Sequence, residues 1–278
     1  MPPFPRAHYY VAAFLLLTFA AFMPSYFMVL GQASFAHHVH GITATLWIVL
    51  LITQSWSIHK GIWTVHAWSG RASVALVPLF TAGGLLVTQN MMSTPSAFNE
   101  MFGIRLAVAD LIATAAFVAF YGGALRNRRS PDIHARYMLS TVFLVIGPSL
   151  GRFLSNYVPG FLVRSRETLP NFAKAADTSF IFAMIFCFVL VVRDARNGKP
   201  IAPFSWALAA TVLMFGGYRW FSSTDAWLRF ADIFVSVPTP LIIAGGIVAT
   251  ITVTYVAWFY PAQHESTGSV VGSSQPAE

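Results

Sequence analysis

The chain has 278 residues, 56% hydrophobic and only 10% charged, with a formal net charge of +7. Soluble domains carry about 25% charged residues, so this deficit excludes an ordinary water-soluble globule and points to an integral membrane protein. The single cysteine, Cys187, excludes a disulfide framework and a thiolate metal site. The basic residues gather in short loops, which reads as membrane topology and contact with anionic lipid and excludes nucleic acid as the partner.

In chain order, apolar runs of spanning length occupy 9–30, 40–58, 68–88, 104–125, 137–156, 175–192, 202–221 and 234–258. Each is near the ~20 residues that cross a hydrocarbon core as helix. The pattern predicts an all-α polytopic transmembrane bundle of about eight spans, or seven if Gly216, Gly217 and Arg219 break the seventh. Residues 1–260 form one transmembrane domain, and 261–278 read as a disordered cytoplasmic tail. The first run lacks a small-residue cleavage site, so no cleavable signal peptide is expected. Arg126, Arg128 and Arg129 follow the fourth run, Arg193, Arg196 and Lys199 the sixth, and Lys60 and Arg71 the second. Lys and Arg accumulate in cytoplasmic loops, which places both termini in the cytoplasm of a cell with a bacterial inner membrane. Tyr and Trp residues that bracket the runs, such as Tyr9, Trp63, Trp206 and Trp258, read as interfacial anchors. The pairs Gly83-Gly84, Gly122-Gly123, Gly216-Gly217 and Gly245-Gly246 allow close helix approach. Pro78, Pro148 and Pro240 should kink or end their helices.

The histidines carry the candidate chemistry. His66 opens the third run and His134 the fifth, both at the cytoplasmic mouth, with Arg71 and Arg136 close by in sequence. Two neutral imidazoles from different helices can ligate a haem b iron or a transition metal, with the arginines facing the haem propionates. Alternatively they form a proton relay, bind an anionic head group, or simply bond loop carbonyls at the interface. His37 and His40 lie three apart at the outer mouth, a spacing that puts them on one helix face and suits a metal. No acidic or histidine partner is evident for them in the other outer loops.

Polar side chains within the runs are costly in lipid and should face the bundle. The principal ones are Gln54, Asp110 and Arg152, with Gln89, Asn90, Asn156 and Asp177 near run ends. Asp110 and Arg152 are expected to form a buried ion pair, or to line an outer-leaflet cavity for a small lipophilic ligand such as a quinone or a lipid.

The segments His66-Ala67-Trp68-Ser69-Gly70-Arg71 and His134-Ala135-Arg136-Tyr137-Met138, with the distal Arg152, resemble the bacterial multi-pass membrane proteins grouped as domain of unknown function 2306. The stretches from His40-Gly41 to Gln54 and from Arg193-Asp194 to Gly198-Lys199 extend the resemblance, which covers 35–200. It sets His66, Gly70, Arg71, His134, Met138 and Arg152 apart and implies no particular activity. Three functions compete: a haem-binding or metal-binding bundle in a redox or assembly role, a non-enzymatic transport, sensing or structural protein, and an intramembrane enzyme acting on a lipid or isoprenoid. The lipid bilayer is the common partner, with a homo-oligomer or a membrane complex open. Topology puts His40 and His66 on opposite faces, so a single site holding all the histidines is not expected.

Overall fold

The computed structural model describes residues 3–262, and these form helices and turns with no strand among them. The helices are α1 (Ala7–Phe22), α2 (Phe35–His59), α3 (Trp63–Ser93), α4 (Ile104–Arg126), α5 (Pro131–Tyr157), α6 (Asn171–Arg196), α7 (Ala202–Arg219), α8 (Asp225–Ser236) and α9 (Thr239–Phe259). Six stretches are long and apolar enough to cross a membrane: α2, α3, α5, α6, α9, and α4 together with the turn before it, Asn99–Arg126. The protein is therefore an all-helical membrane bundle. Its outer surface agrees, since Ile185, Phe186, Phe188 and Val189 on α6 are exposed apolar side chains, as a lipid-facing helix requires.

Local chemistry sets the helix ends. Proline within the first turn starts α5, α7 and α9, where its missing N–H has no intrahelical role. Gly61 (φ 71°) follows α2 and Gly198 (φ 60°) follows α6, both in the left-handed conformation that stops a helix. Arg193 and Arg196 sit in the last turn of α6, where they oppose the helix dipole. Pro78 and Pro148 lie inside α3 and α5, which run on through them, while Pro240 sits in the first turn of α9.

Three of the apolar runs resolve differently from the sequence expectation. The first ends at Phe22, ahead of Pro24, and 27–32 is a short 3-10 turn. Its helix has 16 residues, short for a crossing, and α7 has 18 but is less apolar than the six. The final run is cut by Val237, whose extended backbone leads into Pro238. The residues before that cut belong to α8, a 12-residue amphipathic helix. The Thr224 hydroxyl caps α8 by accepting from the Trp227 N–H at 3.3 Å. Trp227 and Ala231 bury against Ala107 and Val108 of α4, and the Trp227 indole donates to the Ile104 carbonyl at 3.1 Å. Residues 263–278, including most of the expected tail, lie outside the described residues.

Helices α2 to α5 form a ring. α2 packs on α3, α3 on α4 and α4 on α5, while α2 and α5 barely touch and α1 wedges against both. α3 and α5 are thus diagonal. α9 covers α3 and α4, and α6 and α7 cover α5. The centre is an aromatic layer: Trp47 meets Phe117 and Tyr121 edge-on, and Phe117 meets Phe80 edge-on. The Trp47 indole donates to the Thr141 hydroxyl at 3.1 Å, so its one polar atom is satisfied.

At least one glycine of each pair lies at a helix contact. A Cβ on Gly83 would stand 3.2 Å from the backbone of His40, and backbone cannot step aside as a flexible side chain can. Gly83→Val should therefore lose about 1–3 kcal/mol, the usual cost of overpacking, read as a lower melting temperature in detergent. Gly245→Val, where a Cβ meets nothing within 4 Å, is the control and should leave it unchanged.

Candidate functional site

The helix ends build two polar regions on opposite sides of the aromatic layer. His40 and Gln54 lie roughly 21 Å apart along α2 at 1.5 Å per residue, so the two regions are separate, in keeping with the opposed histidine faces read from the sequence.

At the basic mouth, His66 on α3 and His134 on α5 come within electrostatic range of each other from the diagonal helices. The ring Nδ1 of His134 lies 2.8 Å from the Ala124 carbonyl, an acceptor, so Nδ1 carries the hydrogen and Nε2 keeps its lone pair. The Nδ1 of His66 is buried without a hydrogen-bond partner. Gln54 holds the α2–α3 hairpin here by donating to the His66 carbonyl (2.9 Å) and the Ser69 hydroxyl (2.7 Å). Gly70 faces that amide, and a Cβ there would meet it at an ordinary contact distance of 3.5 Å. Below, the hydroxyls of Ser73 and Tyr121 meet at 2.8 Å, and Met138 packs on the apolar core.

The two arginines assigned to this mouth do other work. Arg71 is exposed and lies over the Trp68 ring at 5.5 Å. Arg136 is buried and grips Asp194 with two nitrogens, Nε at 2.7 Å and a terminal nitrogen at 3.1 Å. It also reaches the Asp132 carboxylate at 3.0 Å. Arg193 adds a third bond to Asp194 at 3.0 Å, and Lys199 approaches Asp132 at 3.4 Å. The Phe4 ring packs under both guanidiniums, 4.9 Å from that of Arg136 and 4.8 Å from that of Arg193. Arg136 is thus spent on carboxylates, while Arg71 lies exposed over Trp68.

A further histidine pair escaped the sequence reading. His8 on α1 and His59 on α2 have ring centroids 6.2 Å apart, and each carries a buried ring nitrogen without a partner. The two lie far apart in sequence, and only the packing of α1 on α2 brings them together.

At the opposite mouth, His37 and His40 do not converge as a chelate. His37 is exposed and its Nδ1 pairs with the Ser34 hydroxyl at 2.7 Å. His38 pairs with the Tyr26 hydroxyl at 2.9 Å. His40 turns inward and stacks on Phe80 at 5.4 Å with an unpartnered, buried Nδ1. Among the described residues no three His, Cys, Asp or Glu side chains gather to hold a metal ion. Arg152 acts electrostatically on His37, His40 and Asp110, but Asp110 and Arg152 form no ion pair within 4.0 Å. The expected contact pair is corrected to a gap between two charges. The polar groups at the nearby helix ends are satisfied locally: Gln89 donates to the Val237 carbonyl (2.8 Å) and accepts from Thr239 (2.8 Å), tying α3 to the start of α9.

No protein-family model, curated protein or solved structure matches the chain.

Proposed function

We propose that the chain is an eight-crossing protein of the bacterial cytoplasmic membrane, both termini inside, that binds haem b between His66 and His134 as part of a redox function. The observation that carries the reading is the diagonal imidazole pair, with the His134 Nε2 left free by the bond from Nδ1 to Ala124. Metal-bound histidines are commonly oriented in this way, by giving the second ring nitrogen to a carbonyl. The donor set suits haem b or another metalloporphyrin, which supplies one-electron chemistry when bound. The resemblance to the domain of unknown function 2306 proteins enters at the same level, resting on the residues His66, Gly70 and His134 that lie at this mouth.

The deciding experiment is an absorption spectrum with haem and metal analysis of the purified full chain. A Soret band at near one haem per chain is expected. Folded, colourless protein that takes up no added haem would sink the reading in favour of a sensing or transport bundle. That second reading draws on the commitment of Arg136 to Asp194 and Asp132, which leaves the pair without the cations first assigned to it.

Eight crossings and the orientation rest on the alternation of the helices. The face with Arg6, Lys60, Arg126, Arg129, Arg196 and Lys199 gathers the ends joined by the α2–α3, α4–α5 and α6–α7 turns. In a Cys187→Ser background, a cysteine at Ser165 should react with an impermeant maleimide on intact cells. One at Ser130 should react only after permeabilisation. The reverse pattern would invert the topology.

A further inference from the structure

We propose that Asp110, Arg152 and His40 line a binding site, on the side of the bundle away from the His66–His134 pair, for the head group of a membrane quinone or quinol. All three project from different helices of the ring, α4, α5 and α2, each between one and two turns inside the outer helix ends. All three are half-buried.

Their hydrogen-bonding capacity is unspent. Asp110 makes no side-chain hydrogen bond among the described residues; its only bond is through the backbone carbonyl, to the Thr114 hydroxyl at 2.8 Å. Arg152 has five N–H donors and uses one, in a long 3.4 Å bond to the Pro148 carbonyl. His40 keeps an unpartnered Nδ1. Buried polar groups are normally satisfied, and a carboxylate, a guanidinium and an imidazole left open at one place inside a membrane bundle mark a functional site.

The chemistry of the three groups selects the ligand. The carboxylate and the guanidinium cancel in charge, so the site favours a neutral molecule. A phosphate or fatty-acid carboxylate would satisfy Arg152 but meet the unpartnered Asp110 with like charge. A quinol head group suits both ends, since one oxygen accepts from Arg152 while the hydroxyl across the ring donates to Asp110. A quinone has only acceptors, so it bonds Arg152 through one carbonyl and takes a hydrogen from Asp110 at the other when that carboxyl is protonated. The depth below the helix ends requires approach from the lipid, which an isoprenoid-tailed ring does. The nearby rings fit a planar ligand, since Phe22 lies 4.6 Å from the Arg152 guanidinium and Phe80 stacks on His40.

The test uses the full chain in phosphatidylcholine nanodiscs, titrated calorimetrically with decylubiquinone and, under anaerobic conditions, decylubiquinol. Saturable binding of at least one form is expected, weakened at least tenfold in Asp110→Asn and in Arg152→Gln. Arg164→Gln, in the outer loop, should bind as the unmodified chain does. Reaction of Asp110 with a hydrophobic carbodiimide, mapped by mass spectrometry, covers the case in which a variant fails to fold: the quinone should protect Asp110 in the unmodified protein. No saturable binding, unchanged affinity in both variants, no protection of Asp110, or binding that appears only with phosphatidylglycerol in the disc would each overturn the proposal. None of these readouts depends on haem content, so this inference and the haem reading fail separately.

Discussion

Asp194→Ala is expected to remove about 3–5 kcal/mol of stability, the loss typical when one partner of a buried ion pair is deleted. The reason lies in what remains. Arg136 is 3% and Asp194 1% exposed as side chains, and the bidentate grip between them satisfies a guanidinium with little water to turn to. Asp132 holds only one of its nitrogens, and Arg193, half-exposed, can turn to solvent once Asp194 is gone. The cost falls on α5 and α6 together, because Arg136 starts one and Asp194 ends the other, and on the N-terminal segment whose Phe4 ring packs under the two guanidiniums. The measurement is a thermal melt with a size-exclusion profile in one detergent. Asp194→Asn keeps the shape and one acceptor and should lose less. The double change Arg136→Met with Asp194→Leu removes both charges and should recover most of the loss, since uncharged pairs of similar volume often match a buried ion pair. Equal melting of Asp194→Ala and the unmodified chain would show that water or lipid reaches Arg136 after all.

This network shows where sequence reasoning stopped. The all-helical bundle was legible because apolar runs of membrane length admit few other structures. The basic loops were legible for the same reason, yet their charges were read as topology, as contact with anionic lipid and, for Arg71 and Arg136, as partners of a cofactor. Asp132 and Arg136 are four apart at the start of a helix, a visible ion-pair spacing. Asp194 lies across the α5–α6 packing and cannot be paired with Arg136 by any local rule. Neighbours in sequence misled in the case of Arg71, five residues from His66: at 100° per residue it faces another way. The α8 helix was hidden because its apolar residues ran into those of α9, with Pro238 as the only punctuation. At the outer mouth, the residue types that mattered were legible, since Asp110 and Arg152 are expensive in lipid. Their separation was not, because it depends on how far α4 and α5 stand apart at that end.

His134→Ala should abolish haem binding altogether, the larger of the two effects and the one that bears on function. A bis-imidazole site holds its iron from two helices, and among the described residues neither His66 nor His134 has a neighbouring ligand to take its place, since no third His, Cys, Asp or Glu there joins them. The loss is expected from His66→Ala as well. His134 carries more of the orientation, because its ring is fixed by the Ala124 carbonyl while His66 Nδ1 has no partner. His66→Ala should therefore regain part of the Soret band with added imidazole, which can occupy the empty position while His134 still presents Nε2. His134→Ala should regain less. His59→Ala serves as the comparison: it lies at the same mouth, beside His8, and should leave the spectrum unchanged. If His59→Ala removes the band and His134→Ala does not, the cofactor belongs to the His8–His59 pair, and the diagonal pair would then be an interfacial contact. If haem content is the same in all three variants, the iron is held by none of them and the proposed ligation fails.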